Sequence, residues 1–217
     1  LHVFAVFLIV AASGALNVAS VASVFKKTLY KPLSRLSGLL AMSLLVGGLL
    51  VLVLDLGRPD RLIIAMTYYN FKSIFAWNIF LYTGLLVVVA VYLWMMFEPR
   101  MNRFIGGVGK IAFIWRLVLT TGTGSIFGVL VAREAFGSVV LIPMFIAMSL
   151  SFGTAVMLLA IILIFRLSRV SVKDEVIMRL RPLLAYFVIA VAFFVAVDHL
   201  TRLYVVGDTR VERFLPL

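Results

Sequence analysis

An all-α integral membrane protein, built as an antiparallel bundle of transmembrane helices, is the fold class this sequence predicts. Three observations predict it. Hydrophobic residues make up 64% of the 217 residues and charged ones 13%, with a mean hydropathy of +1.18. A soluble domain of this length has too little interior to hide that much apolar surface, so lipid must cover it. The apolar residues also gather into six runs of about the 20 residues that a bilayer requires, joined by short charged loops. Finally, the loop charge alternates along the chain, as the positive-inside rule demands. That rule also accounts for the net charge of +11, so no nucleic-acid partner is expected.

The predicted spans fall at about 3–25, 36–55, 73–97, 110–132, 139–165 and 182–206, within a single transmembrane domain over residues 1–217. Span one carries Ser13, Asn17 and Ser20 on one stripe, at spacings of four and three. Span two stops at Asp55, where Gly57 can close a helix and Pro59 cannot continue one. Ser73 is a plausible N-cap for span three, with Trp77 and Asn78 one turn inside. In span four, Gly124 and Gly128 are small residues four apart, with Thr120 a turn earlier; Ser149 and Gly153 repeat the spacing in span five. Such stripes let helix backbones approach closely. Span six contains VAVDHLTRLY, with Asp198 and His199 in its second half.

The first loop carries Lys26, Lys27, Lys31 and Arg35, the third Arg100, Arg103 and Lys110, and the fifth Arg166, Arg169, Lys173, Arg179 and Arg181. The second balances Arg58, Arg61 and Lys72 against Asp55 and Asp60, and the fourth sets Arg133 against Glu134. The odd loops are therefore the expected cytoplasmic side and the even loops the outer side. The chain starts at Leu1 inside one apolar run and ends on FLPL beyond another, which reads as part of a longer protein. No basic segment precedes the first run, so a cleavable signal peptide is not expected. With no cysteine, the chain has no thiolate for a disulfide or an iron–sulfur cluster.

Several polar residues sit where lipid would reject them. Asn17 and Asn78 are amides that want a protein or ligand partner inside the bundle. Asp55 and Arg58 are close enough to pair at the membrane edge, and Trp77 suits an interfacial belt. Asp198 lies four residues before Arg202, on one helix face, which allows either an internal ion pair or, with His199, a proton relay. Arg116, about two turns into span four, either snorkels to the headgroups or points inward and lines a proton path. A transmembrane b-type haem wants two histidines on facing helices; His2 and His199 are the only two, and nothing else in the sequence supports one.

The stretch LDLGRPDR closing one span, followed by YNFKSIFAWN opening the next, resembles the NrfD/PsrC family, the membrane subunits of polysulfide-reductase-type respiratory complexes. SGALNVASVASVF with KKTLYKPLSRLSGLLAMSLLVGG, and TTGTGSIFGVLV, agree with it. The resemblance covers roughly residues 5 to 200, and the wording is closest to the DsrP-like subunits of sulfur-metabolising complexes. It implies a protein of eight or more spans in a bacterial or archaeal cytoplasmic membrane. It further implies a menaquinone or ubiquinone site near the outer surface, with no haem or iron–sulfur cluster in this chain. Electrons would pass between the quinol and a ferredoxin-like iron–sulfur subunit docked there, beside further redox subunits. Several relatives have a histidine near the position of Thr123, which can hydrogen-bond a quinone oxygen but does not exchange protons near neutral pH.

The expected function is thus that of a quinol dehydrogenase subunit. Asn17, Asp55, Arg58, Trp77, Asn78 and Thr123 are the quinone-binding candidates; Arg116, Asp198, His199 and Arg202 are the proton-path candidates. The competing readings are a proton- or ion-translocating subunit and a structural membrane anchor.

Overall fold

A computed structural model describes residues 2–23, 31–55, 74–129, 139–168 and 174–205. Among them are six α-helices and no strand: α1 His2–Ser23, α2 Lys31–Asp55, α3 Ile74–Phe97, α4 Ile105–Val129, α5 Leu141–Ser168 and α6 Asp174–Val205. A short 3₁₀ turn, Pro99–Phe104, joins α3 to α4. The chain is an all-α integral membrane protein. Helices α2 to α6 are each long and apolar enough to cross a bilayer. The described apolar run of α1, Val3–Asn17, is shorter. The whole of α1 is 22 residues, about 33 Å at 1.5 Å per residue, which matches a hydrocarbon core of about 30 Å.

Neighbouring helices run antiparallel, and α1 is the centre of the bundle. It packs against α2, α4 and α5; α3 covers α2 and α4; α6 lies outside, against α5. The composition of α1 explains its place. From Ile9 to Leu16 every residue is buried, and most are Ala, Ser or Gly, so neighbours can close in on every side. A Cβ on Gly14 would collide with the backbone of Ser149 and Gly153, and one on Gly153 would strike the backbone of Gly14 and Ala15. The small pair read from span five is therefore the notch for α1. Gly124 does the same work for α4, where a Cβ would lie 3.1 Å from Ile142 Cα and 3.2 Å from Phe145 Cβ. Ser37 adds a bond from α2, donating to the Ala15 carbonyl at 2.6 Å.

Large apolar side chains face outward all round, among them Phe80, Trp94, Ile114, Leu163 and Phe193, as lipid requires. On α6, the only buried side chains among those described are Leu180 and Asp198. Helix α6 also starts eight residues earlier than the predicted span. It runs through the exposed Pro182, which removes one backbone bond, to the carbonyl of Met178. Helix α4 likewise starts earlier than expected, which moves Arg116 to its middle.

Candidate functional site

Polar side chains meet inside the bundle at two depths, and α4 carries both. Arg116, Thr120 and Thr123 are spaced by four and three, so they share one face of the helix. All three are buried. Seven residues separate Arg116 from Thr123, about 10 Å along the axis.

The shallower group lies where α3 begins and α4 ends. Asn78, 2% exposed, donates from Nδ2 to the Gly122 carbonyl at 3.4 Å. Its Oδ1 faces the Thr123 hydroxyl at 3.5 Å, and that hydroxyl lies 3.3 Å from the Tyr82 hydroxyl. These contacts are long for hydrogen bonds to hydroxyl groups, which favour about 2.7–2.8 Å. The Thr123 hydroxyl also bonds the Leu119 carbonyl at 2.9 Å, its tightest contact. Gly122 lets α3 and α4 close in around the amide: a Cβ there would press on Leu81 Cδ1 at 3.0 Å and come within 3.5 Å of Asn78 Oδ1. Next to Asn78 in sequence but on the outside of α3, Trp77 is half exposed and stands edge-on to Phe80, with ring centroids 6.5 Å apart.

The deeper group joins α1 to α4. The Ser13 and Thr120 hydroxyls share a bond of 2.9 Å, and Thr120 donates back to the Arg116 carbonyl at 2.8 Å. The Arg116 guanidinium does not snorkel. It is 3% exposed, donates from Nη1 to the Ser13 carbonyl at 3.1 Å, and lies 4.7 Å from the centroid of the Phe113 ring. Its Nε is buried with no acceptor among the described residues, and no carboxylate there pairs with it. A charge at mid-helix costs about 2.5–3.5 kcal/mol on insertion scales, so its retention points to a use. The Ser13 carbonyl is the helical acceptor for the Asn17 amide N–H, which places Asn17 at the level of the guanidinium. Asn17 is half-buried, and its Nδ2 likewise lacks an acceptor among the described residues.

The sequence candidates therefore divide. Asn78 and Thr123 come together, with Tyr82 as a third member that sequence pattern alone does not single out. Asn17 joins Arg116 instead, deeper in the bundle, because α1 runs from the shallow end inward and Asn17 lies past its midpoint. Asp55 is exposed at the end of α2, and Arg58 lies outside the described residues. Asp198 is buried at 7%, while the adjacent His199 faces outward and holds Nδ1 2.9 Å from its own helix, at the Val195 carbonyl. The side chains of Arg202 and His2 lie outside the described residues, and with them the Asp198–Arg202 pair and the two-histidine haem. Among the described residues no three His, Cys, Asp or Glu side chains gather as a metal site.

Fold and site define a multi-pass membrane helix bundle with polar groups buried inside it. Residues 1–213 match the NrfD polysulphide reductase family, and the chain belongs to it. It is 30% identical over 195 residues to the Hdr-like menaquinol oxidoreductase integral membrane subunit of Archaeoglobus fulgidus, covering 89% of this chain and 49% of that protein. A selenate reductase subunit of Mesobacillus selenatarsenatis is 22% identical over 194 residues, covering 72% of this chain and 46% of that protein. The chain spans about half the length of these curated relatives.

Proposed function

We propose that this chain is the quinol-binding membrane part of a respiratory oxidoreductase, and that Asn78, Tyr82 and Thr123 hold the quinol headgroup. The observation that carries the reading is the loose, buried cluster of these three side chains at one end of the bundle. An amide and two hydroxyls supply donors and acceptors to ring oxygens, and contacts of 3.3 to 3.5 Å give up little when exchanged for a ligand. Apolar neighbours such as Leu81 and Leu119 suit the ring and the start of an isoprenoid tail. The relative named for menaquinol supports a menaquinol-class substrate.

Each residue then has a defined part. Asn78 Nδ2 donates to one ring oxygen and releases the Gly122 carbonyl. Thr123 and Tyr82 bracket the hydroxyl group, and Tyr82 passes its proton toward the near end of the bundle. The chain has no cysteine, so iron–sulfur clusters that receive the electrons belong to a partner beside that end. The balanced loop charge read from the sequence supports assigning that end to the outer face of the cytoplasmic membrane.

Equilibrium binding of a menaquinol analogue to the full-length protein in lipid nanodiscs tests the reading. Wild type should bind saturably, with displacement by a quinone-site inhibitor, and Asn78→Leu should bind about tenfold more weakly. Binding that is absent, or equal in Asn78→Leu, refutes it.

A further inference from the structure

The bundle holds a column of polar groups that leads to one buried cation. Toward the shallow end lie Thr120 with Ser13, then Thr123 with Tyr82 and Asn78. The two hydroxyl pairs are one turn apart on α4. At the level of the guanidinium lies Asn17, with a buried Nδ2 that has no acceptor among the described residues. On α4 itself the polar face ends at Arg116, since the next positions on that face are the buried Ala112 and Gly109. Arg116 thus closes the inner end of the polar column, its guanidinium fixed by the Ser13 carbonyl and the Phe113 ring, with no carboxylate among the described residues to neutralise it.

We infer that Arg116 is an electrostatic stop for protons. A fixed positive charge in low dielectric repels a hydrated proton far more strongly than it does in water. Membrane pores that exclude protons use the same device, an arginine at the constriction. The hydroxyl column is then a one-sided well. Protons enter and leave it at the end where α3 begins and α4 finishes, and the bundle does not short-circuit the membrane. The charge, rather than the bulk of the side chain, is what closes the path. This inference does not depend on quinol binding, and its test contains none.

The test is passive proton conductance. The full-length protein is reconstituted into phospholipid vesicles holding a trapped pH dye, without quinone, and a pH step is imposed with the membrane potential clamped. Vesicles with wild type should relax no faster than protein-free vesicles. Arg116→Gln should relax at least about tenfold faster, since a barrier lower by 1.36 kcal/mol is already tenfold in rate. Arg116→Lys keeps the charge and should stay tight. Arg116→Gln/Thr120→Val should be tight again, because the hydroxyl route is gone. Asn17→Asp is the independent arm: it sets a carboxylate at the level of the guanidinium, neutralises it without removing it, and should leak. A leak in wild type, equal leaks from the Lys and Gln variants, or a leak that survives Thr120→Val overturns the inference. So does an Asn17→Asp bundle that stays tight.

Discussion

Thr123→Val is the sharpest perturbation of the proposed quinol seat. Valine keeps the shape of threonine and removes only the hydroxyl, so packing against Leu119 and Tyr82 is little disturbed. Three contacts go: to Tyr82 at 3.3 Å, to Asn78 at 3.5 Å and to the Leu119 carbonyl at 2.9 Å. The carbonyl keeps its helical partner. The two long contacts together cost about 0.5–1 kcal/mol of stability, in line with side-chain bonds measured inside membranes. The functional loss is larger. A quinol oxygen that finds a methyl instead of a hydroxyl loses about 1.4 kcal/mol, a tenfold rise in Kd and in KM. The assay is quinol oxidation by the intact complex, with binding measured in parallel in nanodiscs. Thr123→Val and Tyr82→Phe should also be non-additive, because they remove two ends of one contact. Unchanged Kd and kcat/KM in Thr123→Val, or strict additivity in the double variant, refutes the assignment.

Other outcomes follow from the packing. Gly14→Val should prevent close approach of α1 and α5 and destabilise the bundle by about 3 kcal/mol or more, read as lost thermal stability in detergent. Ser37→Ala removes the 2.6 Å bond to the Ala15 carbonyl and should cost about 0.5–1 kcal/mol in the same assay. Trp77→Phe alters only a half-exposed ring at the rim, so quinol affinity should move less than twofold.

The helices were legible because apolar run length alone places a span; the breakers read at Gly57 and Pro59 lie outside the described residues. The facing of each helix was not. Helix α3 is apolar on every side, so no periodicity singled out Tyr82; the usable signal was its spacing of four from Asn78, which puts both on one face. The inward turn of Arg116 was equally hidden. Snorkelling and burial share one sequence pattern, and the early start of α4 decided the matter by placing the residue too deep to reach the headgroups. The separation of Asn17 from Asn78 was within reach, since spans one and three run in the same direction and the two residues lie at different distances from their starts. The charged stretch after Asp55, which carried the family resemblance, lies outside the described residues.

Photolabelling with an azido-menaquinone, applied to the full-length protein in its native membrane and followed by peptide mapping, bears most directly on where the quinol sits. Inhibitor-sensitive label on the segments around residues 78–82 and 119–126 is the predicted result. Label confined to outward-facing positions such as Phe193 and Leu200, unchanged by inhibitor, would contradict the account.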